Sequence, residues 1–122
     1  MTVIEAINQV DALKVNTYSQ DNKIEWLSRV DGMIKRLIID THEDGEGFDF
    51  KEYTTDDLNK ELIAPHPYDE LYLRWLEAQI DYTNAEYGKY NNSITTFNTA
   101  FENFSNYYNR QHMPKGKSLK FF

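Results

Sequence analysis

A regular stripe of apolar residues in the second half of the chain limits what this sequence can fold into. Eleven positions between residues 73 and 108 follow one another in alternating steps of three and four, and ten of them are aliphatic or aromatic. They are Leu73, Leu76, Ile80, Thr83, Tyr87, Tyr90, Ile94, Phe97, Phe101, Phe104 and Tyr108. This spacing keeps side chains on one side of an α-helix, so it predicts one helix, or two in register, with a single buried seam.

The striped segment follows residues 65–67 (Pro-His-Pro), and Pro67 or Tyr68 is its predicted first helical residue. The residues 112–114 (His-Met-Pro) are predicted to stop it. A continuous helix over this length would measure about 65 Å at 1.5 Å per residue, which is longer than a domain of this size.

Gly88 and residues 91–93 (Asn-Asn-Ser) are the predicted position of a break or kink, with Ser93 as a second N-cap. The unbroken seven-residue register favours a continuous helix instead. We favour two helices and keep the continuous helix as the alternative.

Capping signals predict two helices before the stripe. Thr2 and Glu5 have the spacing of a capping box, which predicts a first helix from Thr2 to about Lys14. Ser19 is the predicted N-cap of a second helix that continues to about His42. The sequence therefore predicts an all-α fold, a small helical bundle of about four helices.

Residues 43–66 differ in composition from the helical segments. They contain only Lys51 and Lys60 as cations, and Gly45 and Gly47 interrupt regular structure. We predict a long acidic loop between the second and third helices, which in a compact domain is usually functional or flexible. Its acidic residues are Glu43, Asp44, Glu46, Asp49, Glu52, Asp56, Asp57 and Glu61. Phe48, Phe50 and Tyr53 lie in the same loop, and either pack it onto the core or contact another chain.

The charge inverts at the C-terminus. We divide the chain into a helical domain of residues 1–114 and an extended basic tail of residues 115–122. Such a tail is either a frayed, solubilising end or a peptide that binds a partner. Its candidate partner contacts are Lys115, Lys117, Leu119, Lys120, Phe121 and Phe122.

Composition narrows the function classes. A formal net charge of -7 argues against nucleic acid as the main ligand, because phosphate neutralisation needs a clustered basic surface. The chain has no cysteine, which fits a reducing compartment. The N-terminus has no basic region followed by an apolar run, and no stretch approaches the ~18 apolar residues of a membrane span. We expect a protein that stays in the cytoplasm and does not enter a membrane.

Aromatic residues are unusually abundant, with 9 Tyr, 7 Phe and 2 Trp in 122 residues. Tyr and Phe are enriched at protein interfaces, so the excess favours a subunit that contacts neighbours, with a self-contained core as the alternative.

The residues carry no catalytic signature. The sequence lacks a phosphate loop and the His or Glu spacings of zinc and di-iron sites. Asp40, His42 and Asp44 resemble the start of a calcium loop, but Lys51 stands where that loop needs a glutamate. We expect no metal, no cofactor and no enzymatic activity.

Several segments together resemble a family of phage proteins. They are residues 24–34 (IEWLSRVDGMI), 68–82 (YDELYLRWLEAQIDY), 89–94 (KYNNSI), 97–98 (FN) and 107–114 (YYNRQHMP). In these segments the chain is similar to head-tail connector proteins, also called adaptors or head-completion proteins, of tailed phages and prophages of Gram-positive bacteria. The matched residues are packing residues, and the acidic loop has no counterpart.

The resemblance implies a helical subunit of the virion neck that assembles, in the host cytoplasm, as a ring of typically about twelve copies beneath the portal protein. The ring extends the DNA channel, through which DNA passes without specific binding, and presents a surface to the next neck or tail-completion protein. In this role the acidic loop is expected to face the channel through Glu43, Asp44, Glu46, Asp49, Glu52, Asp56 and Asp57. The tail, with Phe48, Phe50 and Tyr53, is expected to bind partners.

Two alternatives to a connector remain open. The first is another phage neck or tail-completion subunit, and the second is a non-viral helical module for protein interaction.

Overall fold

The computed structural model describes residues 1–115, and this part of the chain contains four α-helices and no β-strand. The helices are α1 (Val3–Leu13), α2 (Gln20–Leu37), α3 (Glu70–Thr83) and α4 (Tyr87–Gln111). The predicted all-α class and the four-helix bundle are confirmed.

The N-termini of α1 and α2 begin where the capping residues predict. The Thr2 hydroxyl accepts a hydrogen bond from the Glu5 N–H at 3.2 Å, and the Glu5 carboxylate accepts one from the Thr2 N–H at 2.9 Å. The Ser19 hydroxyl accepts from the N–H of Asn22 at 3.1 Å. Each cap satisfies main-chain donors that the first helical turn leaves unpaired.

α2 ends at Leu37, so the predicted end near His42 is wrong. The Ile38 carbonyl accepts from the Thr41 hydroxyl and from the His42 Nδ1–H, each at 2.6 Å. The Thr41 N–H also donates to the Ile38 carbonyl at 3.2 Å, a bond that spans three residues where an α-helix spans four, and the chain passes into the single 3₁₀ turn Ile39–Thr41.

α3 and α4 are separated at residues 84–86, so the break is confirmed and its predicted position is wrong. Gly88 and Ser93 lie inside α4. The N–H of Glu86 donates to the Asp81 carbonyl at 2.9 Å, and Ala85 has φ 60°. This is a Schellman-type helix end, in which the left-handed position is usually glycine. With alanine there, the sequence lacks its usual signal.

The apolar stripe therefore divides between two helices that fold back on each other, and the prediction of one continuous buried seam is wrong. Leu76, Ile80, Phe97 and Phe104 are buried, whereas Thr83 and Tyr87 flank the turn and are exposed. α3 also begins later than predicted, at Glu70, after a series of turns over residues 66–69.

All four helices contribute to one hydrophobic core, and so does the long connection between α2 and α3. The helical part includes Ile7, Val10, Leu27, Ile34, Leu76, Ile80, Phe97 and Phe104, and the connection adds Ile38, Ile39, Tyr53, Leu62 and Ala64. The connection also contains two further 3₁₀ turns, Glu43–Gly45 and Thr55–Asp57.

Candidate interaction surface

Asp31 is the centre of a buried polar network between α2, α3 and their connection. Its carboxylate accepts hydrogen bonds from the hydroxyls of Tyr53 and Tyr72, and from the N–H of Ile63 at 3.2 Å. The Tyr72 hydroxyl accepts from the N–H of Ala64 at 2.7 Å. The network ties the second half of the connection to both helices.

Burial raises the pKa of the Asp31 carboxyl to about 6, although the hydrogen bonds that it accepts lower it. Burial and the neighbouring Asp31 carboxylate also raise the pKa of Tyr53 and of Tyr72, so both hydroxyls remain donors at neutral pH. Asp31 is 0% exposed. An enclosed carboxyl of this kind anchors the chain and offers no access to a substrate.

The three aromatic residues of the connection have different environments. Tyr53 is buried in the core, and its N–H donates to the Ser28 hydroxyl at 2.7 Å. Phe50 is half-buried, with its ring edge-on to Tyr53 at 5.4 Å between centroids. Phe48 is 42% exposed. Tyr53 therefore packs the connection onto the core, and Phe48 is the ring that a second chain can reach.

The first part of the connection is paired with the end of α4 through the main chain. The N–H of Glu43 donates to the Met113 carbonyl at 3.0 Å, and the N–H of Lys115 donates to the Thr41 carbonyl at 2.7 Å. Buried His42 lies between them, and its Nε2 is 2.8 Å from the side-chain amide oxygen of Asn109. The connection is thus held at both ends.

The acidic residues of the connection are mostly on the surface. Six of the seven predicted channel residues are exposed: Glu43, Asp44, Glu46, Asp49, Glu52 and Asp56. Asp57 is half-buried, and its carboxylate accepts from the Thr54 N–H at 2.8 Å, so it caps a turn. Asp44 pairs with the His112 ring, and the Lys115 ammonium group is 3.7 Å from Glu46.

These carboxylates follow one stretch of chain without converging on a point. Within residues 1–115, no three His, Cys, Asp or Glu side chains are close enough together to hold a metal ion.

Of the predicted tail contacts, Lys115 is described and exposed. Lys117, Leu119, Lys120, Phe121 and Phe122 lie outside the described residues.

A second surface, which the sequence did not identify, lies on the outer side of α2 and α3. We call it the outer groove. It is a shallow depression of about 510 Å³ lined by Gly32, Met33, Leu37 and Trp75, together with Arg29, Arg36 and Gln79. Leu37 is 58% exposed, whereas Met33 and Trp75 are half-buried. One sequence feature indicates this surface. The apolar face of α2 is wide, and Met33 and Leu37 lie one turn apart at its margin.

No protein-family model, curated protein or solved structure matches this chain. Among the helices of residues 1–115, none combines the length and apolar composition that a membrane crossing requires. The function is therefore inferred from these two surfaces and from the resemblance of the sequence segments.

Proposed function

We propose that this chain is a head-tail connector subunit of a tailed phage or prophage. In this role, copies of the chain form a ring under the portal protein, extend the DNA channel and join the head to the next neck or tail-completion protein. The role is structural and needs no cofactor, and its place is the neck of the virion.

The observation that carries this proposal is the acidic connection between α2 and α3. It exposes six of the seven predicted channel carboxylates and is held in place by Tyr53, the Asp31 network and the pairing with the end of α4. Carboxylates fixed on one surface repel the phosphates of DNA that passes close by, which allows the genome to slide without binding. At physiological salt such repulsion extends about 8 Å, so it acts within a narrow channel.

The packing of the family-like segments also supports the proposal. Residues 24–34 lie in α2, most of residues 68–82 lies in α3, and residues 89–94 and 97–98 lie in α4. The resemblance thus falls on three helices that pack around one core. Large side chains that this core leaves exposed, such as Leu37, Phe48 and Tyr87, are available to neighbouring subunits.

The tail completes the proposed contacts. Lys115, Lys117 and Lys120 carry the opposite charge from most of the chain, and Phe121 and Phe122 supply aromatic anchors of the kind that dominate binding energy. We assign this tail to the portal protein.

Particle assembly tests the proposed function. Deleting the gene from the phage or inducible prophage that encodes it should give DNA-filled heads and free tails, which electron microscopy and infectivity counts distinguish from complete particles. Supplying the wild-type chain in trans should restore infectivity, and so should the surface variant Asn98→Ala. Normal infectious particles from the deletion strain would contradict the proposal.

A further inference from the structure

We propose that the outer groove of one subunit binds the acidic tip of a second copy of this chain. The acidic tip is residues 46–49: Glu46, Gly47, Phe48 and Asp49. The contact between two copies does not depend on the proposed connector function. Its extension to a closed ring does rest on that function.

The outer groove is an apolar surface that the described part of its own subunit leaves open. Leu37, Met33 and Trp75 form its apolar part, and its volume of about 510 Å³ has room for an aromatic ring. Trp75 is held in place because its indole N–H donates to the Trp26 carbonyl at 2.7 Å and its ring lies 4.9 Å from that of Phe97. The groove is therefore formed before anything binds, which reduces the entropy cost of association.

The acidic tip presents an aromatic ring on a defined turn. The N–H of Phe48 donates to the Gly45 carbonyl at 3.2 Å, and Gly47 has φ +85°, a conformation that glycine adopts without strain. Gly45 is packed against Ile39, where a Cβ would lie 2.1 Å from the Ile39 carbonyl oxygen. The turn thus projects Phe48 from an anchored base, with a carboxylate on each side.

The charges of the two surfaces are complementary. Arg29 and Arg36 border the groove, and Glu46 and Asp49 flank Phe48. Glu46 also lies 3.7 Å from the Lys115 ammonium group of its own subunit, an exposed pair of little energetic value that an arginine of the groove can replace. Within residues 1–115, Arg36 has no carboxylate within ion-pair distance, and Arg29 contacts only the exposed Glu25 one turn away, a pairing of little energetic value. Opposite charges around an apolar contact favour the correct partner and speed association.

The same charges favour the acidic tip over the basic tail as the occupant of the groove. Residues 115–122 contain Lys115, Lys117 and Lys120 and no acid, so the arginines at the groove would repel them.

The groove and the tip share no residue. Their contact can therefore join a head to a tail, as a ring requires, although two copies can also exchange the contact reciprocally and stop at a dimer. The proposed contact also reduces the number of carboxylates that can face the DNA channel. With Glu46 and Asp49 at the subunit contact, Asp44 paired with His112 and Asp57 capping a turn, the carboxylates left for the channel are Glu43, Glu52 and Asp56.

Cysteine cross-linking tests this contact directly, because the native chain has no cysteine. Under mild oxidation, the chain with both Leu37→Cys and Phe48→Cys should form a ladder of dimers, trimers and larger species on a non-reducing gel. The single variants, and the control pair Asn98→Cys with Phe48→Cys, should remain mainly monomeric. Dimers from Leu37→Cys alone, a ladder from the control pair, or a double variant that stays monomeric would overturn the proposal. A double variant that stops at the dimer would support the contact as a reciprocal one and overturn its extension to a ring.

Charge reversal supplies a second test that does not depend on cysteine. Arg36→Glu should weaken self-association about tenfold in analytical ultracentrifugation, and the combined change of Glu46→Lys and Asp49→Lys in the partner should restore it. Absence of rescue would count against the contact. The control Arg110→Glu should leave association unchanged.

The two proposals fail in different ways. Assembled virions that contain the double-cysteine chain but yield no cross-link would refute the groove contact and leave the connector function standing. A cross-linked ladder from a chain that is absent from virions would do the reverse.

Discussion

α3 and α4 come from one apolar stripe, yet they are buried to very different degrees. α3 has six buried residues among 14, whereas α4 has two, Phe97 and Phe104, among 25. The difference follows from their neighbours, because α3 packs against α1, α2 and α4, while the main helical partner of α4 is α3. Apolar spacing therefore tells which side of a helix faces the protein, and the number of packed neighbours decides how deeply that side is buried.

The outward side of α4 differs from an ordinary exposed helix face. Its exposed residues are mainly uncharged amides and hydroxyls, such as Asn91, Asn92, Thr95, Asn98, Thr99, Asn103 and Asn106. Three of its threonine hydroxyls donate back to carbonyls one turn earlier. This face does not have to be buried for the protein to fold. We therefore predict that replacing a side chain by alanine lowers the free energy of unfolding strongly at the buried positions of α4 and hardly at all on its outward face.

The largest expected effect is at the attachment of α4 to α3. Phe104→Ala should lower the free energy of unfolding by about 3 to 5 kcal/mol, because its ring is 1% exposed and packs in the core, and Phe97→Ala should do the same. Urea denaturation followed by circular dichroism measures the loss. Asn98→Ala on the outward face should stay within about 0.5 kcal/mol of wild type. Equal losses at Phe104 and Asn98 would contradict the assigned burial.

The Asp31 network gives the next largest effect, and it depends on pH. Since the pKa of folded Asp31 is about 6, above the ordinary value of 3.8, the folded state binds more protons between these values. Stability from this group is therefore fully present below about pH 4 and is lost as the pH rises to about 6, with a total change of up to about 3 kcal/mol.

The pH dependence is isolated by comparison with Asp31→Asn, which cannot titrate. The difference in unfolding free energy between wild type and this variant should shift in favour of the variant as the pH rises from 4 to 6, and then level off. A difference that is constant across this range would mean that Asp31 has an ordinary pKa.

A smaller effect tests how the connection is attached. Tyr53→Phe removes one hydrogen bond to Asp31 and should cost about 1 to 3 kcal/mol, because a buried acceptor loses its partner. Tyr82→Phe is the matched control, since Tyr82 is 57% exposed, and should be nearly neutral. If both variants unfold at the same denaturant concentration as wild type, the connection is not held by this network.

The smallest expected effect is at the tail. A chain that ends at Lys115 keeps the N–H that donates to Thr41 and should unfold within about 0.5 kcal/mol of the full chain. Under the connector proposal it should nevertheless fail to attach to heads, and changing Lys117 and Lys120 to Gln should give a milder defect. Normal infectivity of the truncated form would make the tail a solubilising end.

The parts of the fold that were predictable depend on local chemistry. Thr2, Glu5 and Ser19 act on donors within three residues of themselves, and Pro114 cannot continue a helix. These boundaries could therefore be located from the sequence. The end of α2 differs from the prediction because the chain continues as a 3₁₀ turn, whose Thr41 and His42 side chains bind the Ile38 carbonyl, and apolar spacing does not distinguish such a turn from an α-helix.

The missed features depend on distant pairing or on an atypical residue. Ala85 fills a position where glycine would have marked the turn, so the break was assigned to Gly88 and its neighbours instead. Asp31 meets Tyr53 and Tyr72 across 22 and 41 residues, a separation that no spacing rule covers. The outer groove likewise exists only once α3 lies beside α2, although the apolar margin of α2 was visible in the sequence.

Electron microscopy of the purified chain mixed with the portal protein from the same genome tests the connector function most directly. We predict that the chain alone is a monomer or small oligomer, and that on the portal it forms a ring coaxial with the portal channel. Averaged images should then show one added ring at the tail-facing end of the portal. A chain that stays dispersed and leaves the portal images unchanged would contradict the connector function.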